Sequence, residues 1–434
     1  MTAVVSSSAR GLWGLATRRQ IYSDCHKIPC SYATRNDTGR NRSRIFGTST
    51  YINLASAATL RGRGPHRRSA VGKVSPLGAS SISCSDLAED SDGTGSLETG
   101  RDKDREVEYV PPPTRVTAKG RIVAVGDLHG DLLQTMRVLQ LAGVMATPVP
   151  GEPARWIGGD TVFIQMGDIL DRGDSEIGIL RMLWQLGEGA KEAGGAVYII
   201  NGNHETLNIS GDFRYVTPGA FKESAMVALG STDFGNPGIS FTMQARARLA
   251  LFSPGAPLAR RLANNPTILV VNDTVFAHGG LLPSHAEYGI ERINEEVSRW
   301  MMGGSEPPEI AIFSPDSVVW NRLYSRDLSF PSERYYACEV LEQTLDMVGA
   351  KRLVVGHTPQ PQGCNEECEG QVWRIDVGMS SGVMGSPVQA IEIKPVESSD
   401  IETDNENVVV DRRARSEPDY GPFPDVEISV LSFT

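Results

Sequence analysis

The sequence predicts an α/β fold whose functional side chains sit at the C-terminal ends of its strands, and two observations carry that prediction. Five short apolar runs, Ile122-Val123-Ala124-Val125, Val162-Phe163-Ile164-Gln165-Met166, Val197-Tyr198-Ile199-Ile200, Thr274-Val275-Phe276-Ala277 and Arg352-Leu353-Val354-Val355, each end in Gly or a small residue. Side chains able to bind a metal or move a proton follow every time. Between the first three runs, residues 132–142 and 177–193 carry helical apolar spacing. Strands whose C-terminal ends converge on one sheet edge are the usual place for an α/β site, so the residues that follow them meet in space.

The first run sets the pattern. It stops at Gly126, and the backbone bends there and at Gly130, so Asp127 and His129, two residues apart, can reach one small cation. The second run leads into GDILDRG at 167–173, the third into GNHE at 202–205, the fourth into His278-Gly279-Gly280 and the fifth into Gly356-His357-Thr358. Residues 144–159 form a Pro/Gly-rich connection longer than usual. Residues 212–266 read as a partly helical insertion that caps or flanks the site, with 243–251 its clearest helix. Arg246, Arg248, Arg260 and Arg261 on it either steer phosphorylated partners or lie on a solvated face. Helical stretches at 292–302 and 335–348 follow.

The ends differ from the middle. Residues 1–85 hold thirteen Lys or Arg against two acids, a balance of +11, so the remainder carries −22 of a whole-chain −11. This Ser-, Ala- and Arg-rich arm lacks the continuous apolar stretch of a secretory signal and reads as an organelle transit peptide. A plastid is the expected destination and a mitochondrion the alternative; a nucleic-acid-binding arm is the competing reading. Residues 86–113 are an acidic, Gly/Ser-rich linker closed by three prolines. That leaves 114–396 for the catalytic domain and 397–434 for an acidic tail, with 426–433 a candidate terminal strand. No run of eighteen apolar residues exists, so no membrane span is expected. The six cysteines do not read as a disulfide scaffold: Cys338 reads as a small core residue, and Cys364 and Cys368 as loop cysteines or a redox-sensitive pair.

The blocks GDLHG, GDILDRG, GNHE, HG and GH, in that order, resemble those of the calcineurin-like metallophosphoesterases and, among them, the phosphoprotein phosphatases. The runs GNHETLNISGDFRYV (202–216) and WRIDVGMSSGV (373–383) look like the Shewanella-like protein phosphatases, a bacterial-type branch. The resemblance implies a central β-sandwich flanked by helices and a dinuclear site. Asp127 and His129 would bind one metal, Asp168 bridge both, and Asn203, His278 and His357 complete the second. Mixed N/O ligation suits manganese, with iron or zinc as alternatives. His204 would be the general acid oriented by Asp171, Arg172 the phosphate clamp, with Asn203 also touching the phosphate. Arg322 is the expected second clamp and Arg326 its rival. Asp212, Arg214 and Tyr215 would shape the substrate pocket. A SAPNY-like loop, which toxins of the eukaryotic-type enzymes use, is replaced by DVGMSSGV, so such toxins are expected to inhibit poorly.

The implied reaction is hydrolysis of phosphoserine/threonine or phosphotyrosine in proteins by a metal-bridging hydroxide, without a covalent intermediate. No nucleic acid or membrane is expected as partner, and the sequence does not set the oligomeric state. Two rivals remain open: a nucleotide phosphoesterase of the diadenosine tetraphosphatase type, and a non-catalytic phosphoprotein-binding scaffold.

Overall fold

The computed structural model describes residues 109–149, 151–230, 239–396 and 423–433. The arm read as a transit peptide, nearly all of the stretch read as a linker and most of the acidic tail therefore lie outside the described residues. In chain order the strands are β1 (Arg115–Val116), β2 (Ile122–Val125), β3 (Val162–Gln165), β4 (Ala196–Ile199), β5 (Ile268–Val271), β6 (Thr274–Ala277), β7 (Arg352–Val355), β8 (Asn365–Glu367), β9 (Val372–Arg374), β10 (Gln389–Pro395) and β11 (Val426–Ser432). They form two sheets, ordered β1-β5-β6-β7-β9-β8 and β11-β10-β2-β3-β4.

The short central strands are apolar without alternation because both of their faces are covered. Ile122, Ala124, Ile164 and Ile391 of one sheet meet Leu269, Val271, Phe276 and Val354 of the other in one buried cluster, which makes the structure a sandwich. The intervening Val123, Val125 and Phe163 join a second cluster with Leu139, Leu180 and Leu183 of the helices Leu132–Leu141 and Glu176–Glu192. The first of these helices starts where sequence reasoning put it, because the Asp131 side chain accepts from the Gln134 N–H at 3.1 Å and caps it. Strands β2, β3 and β4 run parallel, as do β6, β7 and β9, so six C-terminal ends open on one edge. Among the described residues, no helix is long and apolar enough to cross a membrane.

Three expectations need correction. The inserted region holds three helices, Pro218–Leu229, Phe241–Phe252 and Pro257–Leu262; Arg246, Arg260 and Arg261 on them are exposed, as a solvated face requires, but Arg248 is not. Arg248 is fully buried, and the Arg261 guanidinium stacks on the Trp184 ring at 4.5 Å. Cys338 is not a simple core residue: it is bonded to Cys368, joining the helix Pro331–Val348 to the turn after β8. Cys364 is therefore not half of a redox pair with Cys368 but a free thiol that burial pushes up to about 12, an inert group at neutral pH.

The terminal strand is integral to the sheet. β11 pairs antiparallel with β10 along its whole length, from Gln389 opposite Ser432 to Pro395 opposite Val426. Ending the chain after Val396 would remove seven cross-strand pairs and leave β10 as an open edge. Such a truncation is expected to cost about 2 kcal/mol or more, at a few tenths of a kcal/mol per pair, and to promote aggregation. An unchanged denaturation midpoint for the truncated chain would count against this.

Candidate metal centre

Three of the strand ends, those of β2, β3 and β7, deliver their side chains through strained turns. Among the described residues, eight non-glycine positions have positive φ, and five of them are His129 (43°), Asp168 (54°), Asp171 (68°), Arg172 (65°) and His357 (68°). Such backbone costs of order 1–3 kcal/mol per residue and persists only where the surroundings enforce it. Glu205 does much of that enforcing. One of its carboxylate oxygens accepts from the N–H groups of Asp168 (2.8 Å) and Gly202 (2.8 Å), the other from Ile169 (2.9 Å) and Leu170 (3.2 Å). It thereby ties the GDILDRG turn to the start of the helix Asn203–Ile209. Gly202 has to be glycine, because a Cβ there would lie 2.3 Å from the Asp168 Oδ1 atom. Glu205→Gln would turn an NH₂ group against backbone N–H donors. It is expected to destabilise the fold by about 3 kcal/mol, read by denaturant titration; a shift under about 0.5 kcal/mol would refute the role.

Six side chains named from the sequence converge. His129 and His278 direct Nδ1 to backbone oxygens, of Leu170 at 3.0 Å and Met166 at 2.8 Å, which leaves Nε2 facing inward. His278 Nε2 lies 3.3 Å from Asp168 Oδ2 and 3.0 Å from Asn203 Oδ1; His129 Nε2 lies 3.8 Å from Asp168 Oδ2 and 4.0 Å from Asp127 Oδ2. His357 lies with His278 and Asp168 in one group, with potential ligand atoms within 4.8 Å of one another. All six are buried.

The donor set fits divalent cations. Buried His357 Nε2 has no hydrogen-bond partner. Burial lowers the proton affinity of His357 well below its ordinary value and that of His129 to about 3, so both present neutral lone pairs. Burial, with the Asp376 and Asp168 carboxylates close by, holds Asp127 well above the usual carboxylate range. Burial opposes ionisation of Asp168 too, but the imidazoles of His278, His204 and His129 outweigh it and keep this carboxyl well below its usual range. A buried cluster of acids and neutral imidazoles calls for positive charge, which cations bridged by Asp168 would provide.

His204 occupies a different niche. Its Nδ1 lies 2.5 Å from Asp171 Oδ2 and its Nε2 lies 3.3 Å from Arg172 Nη2. Burial lowers its proton affinity, but Asp168 and Asp171 more than compensate and raise it above the ordinary value. The Tyr215 ring packs 5.1 Å from the His204 ring and 5.6 Å from the Arg172 guanidinium carbon, whereas Arg214 turns away to pair with Asp212. Arg322 stands beside His357, donating to its carbonyl (3.2 Å) and to Thr358 Oγ1 (2.7 Å). Arg322 and Arg326 both line a cleft of about 620 Å³ with Leu282, Phe313, Trp320 and Tyr336. The Trp320 ring stands 5.6 Å from that of His357, so the cleft adjoins the centre.

Sequence reasoning missed Asp376. This buried acid follows β9, and burial pushes it up to about 6 beside Asp127 and Asp168. The signal was present, since Asp376 follows a strand end as the proposed ligands do, but Val372–Arg374 is too short to stand out.

Comparisons with known proteins agree with this geometry. Residues 120–361 match the calcineurin-like phosphoesterase family. The chain is 40% identical over 309 residues to Shewanella-like protein phosphatase 2 of Arabidopsis thaliana, covering 65% of this chain and 77% of the relative. It is 33% identical over 267 residues to Shewanella-like protein phosphatase 1 of Plasmodium berghei, covering 60% and 67%. In fold it is similar to a solved cold-active protein tyrosine phosphatase, with a TM-score of 0.50 and 22% identity over 64% of this chain and 75% of the other. The chain belongs to the calcineurin-like phosphoesterases, in the branch of the Shewanella-like protein phosphatases.

Proposed function

We propose that the protein is a metal-dependent protein phosphatase that hydrolyses phosphomonoesters of phosphoserine/threonine or phosphotyrosine. The observation that carries this is the convergence of two histidine–carboxylate groups sharing Asp168, one with His129 and His204 and the other with His278 and His357, with Asp171 and Arg172 set against His204. Asp127, His129 and Asp168 would hold one cation, and Asp168, Asn203, His278 and His357 the other. Manganese is the first choice and iron or zinc the second, because the donors mix nitrogen and oxygen. Two such cations would supply charge neutralisation at the phosphoryl oxygens and an activated water to attack phosphorus. Arg172 grips two phosphoryl oxygens through its fork, and Asn203 lies within reach of a third. Arg322 approaches from the cleft side, and the polypeptide of the substrate would lie along that cleft. As the bond from phosphorus to the leaving oxygen breaks, that oxygen takes the proton from His204 Nε2, while Asp171 holds Nδ1.

Phosphate release by the full chain from phosphothreonine and phosphotyrosine peptides, before and after chelation, tests the reading. Turnover is expected to vanish on chelation and return with Mn(II). No turnover of either peptide in any metal would turn the reading toward a nucleotide phosphoesterase or a scaffold. The proposal extends to a plastid location, with the mitochondrion second, on the composition of residues 1–85. A fluorescent fusion of that arm retained in the cytosol would reject both.

A further inference from the structure

Arg248 lies at the centre of the helix Phe241–Phe252, contributed by the inserted region, and its guanidinium is fully buried. Nη1 donates to Glu176 Oε2 at 2.6 Å, and Nε and Nη2 donate to Asn208 Oδ1 at 2.9 and 2.7 Å. The Phe252 ring packs 4.7 Å from the guanidinium carbon. A third acceptor, Ser224 Oγ, accepts from Nη1 at 3.1 Å, while Glu176 and Asn208 both act on Asp171. The other oxygen of Glu176 accepts from the Asp171 N–H at 2.5 Å, and the Asn208 amide donates to Asp171 Oδ1 at 3.0 Å. Asn208 also donates to the His204 carbonyl at 2.9 Å. Asp171, held in a left-handed conformation, is thus gripped by backbone and carboxylate alike, and its remaining oxygen meets His204 Nδ1.

We propose that Arg248 is a positioning residue for proton transfer: through Glu176 and Asn208 it fixes the orientation of Asp171, and through Asp171 the aim of His204. This rests on His204 being the general acid. A buried ion pair is weak evidence for stability, since an apolar pair of similar volume often serves as well. A fork that satisfies two different acceptors, each bonded in turn to Asp171, has a use that an apolar pair lacks. The inserted region is in this way part of the catalytic apparatus without touching substrate.

The test compares aryl phosphates of graded leaving-group basicity in the full chain. A para-nitrophenolate departs without needing a proton, whereas a para-cresolate needs one, so loss of acid catalysis widens the rate gap between the two esters. Arg248→Lys, which keeps the charge and loses the fork, is expected to widen that gap by about tenfold at unchanged KM. The double variant Arg248→Met/Glu176→Gln removes the ion pair without leaving a lone buried charge and is expected to do the same. It serves if the lysine variant does not fold. His204→Asn is run alongside. A gap widened by His204→Asn but not by the Arg248 variants overturns this inference alone. A gap unchanged in His204→Asn overturns the acid assignment, and the inference with it. Uniform loss on both esters in the Arg248 variants assigns Arg248 a structural role and likewise overturns it.

Discussion

Asp168→Asn is expected to lower kcat/KM by about 10³-fold or more, roughly 4 kcal/mol of transition-state stabilisation. The size follows from its position. Its Oδ2 faces three imidazole nitrogens, at 3.3 Å from His278 and 3.8 Å from both His129 and His204, and its Oδ1 accepts from the His204 N–H at 2.9 Å. It is the one carboxylate common to the two ligand groups. An amide of the same shape keeps one oxygen and loses the negative charge, so two close cations would face each other without screening. Metal content by elemental analysis should therefore fall together with activity, while Tm in the presence of chelator stays near that of the unaltered chain. Activity within tenfold of the parent, at full metal content, would remove Asp168 from the bridging position.

The ligands were legible because each lies in a few residues at a strand end, where a local pattern and the chemistry coincide. Asp127 with His129, Asp168 with Asp171, and Asn203 with His204 are each separated by three residues or fewer, and the turns that present them are fixed by glycines inside the same blocks. What escaped notice depends on pairs distant in sequence. Arg248 reads as an exposed cation on a helix until Glu176, 72 residues earlier, is placed against it. Cys368 has a near neighbour in Cys364, but the chain turns Cys364 toward the Ile375 carbonyl and brings Cys338 from a helix 30 residues away. The alternation of Val426-Glu427-Ile428 marked a strand, yet nothing local said that it completes the sheet beside β10.

That division also explains the backbone strain. Left-handed residues at His129, Asp168, Asp171, Arg172 and His357 are unfavourable in isolation, and the motif supplies the glycines that let them bend. The enforcement comes from outside each turn: Glu205 grips the N–H groups of Asp168, Ile169 and Leu170 from 35 to 37 residues on, Glu176 grips the Asp171 N–H from five residues on, and the Tyr215 carbonyl accepts from the Arg172 N–H at 3.0 Å. The blocks therefore specify the chemistry and, through Glu205 of GNHE, brace one another, while residues outside them such as Glu176 and Tyr215 complete the support.

His204→Asn carries the second large effect. Asparagine retains a polar side chain close to Asp171 but cannot deliver a proton to a leaving oxygen at neutral pH. The expected loss in kcat on a phosphopeptide is about 10²–10⁴-fold, the usual contribution of general acid catalysis. KM should move little, because Arg172 and the cation ligands, not His204, bear the phosphoryl charge. Metal content should be unaffected, since the Nδ1 atom of His204 is committed to Asp171 and the six proposed ligands remain. The loss should shrink as the leaving group becomes a better anion, which separates a proton donor from a group that merely orders the pocket. If metal content falls with kcat, His204 belongs among the ligands, a possibility its Nε2 raises by lying 3.8 Å from Asp168 Oδ2. Retained metal with a loss confined to poor leaving groups leaves proton donation as the function of His204, and makes Asp171 the residue through which the rest of the fold reaches the reaction.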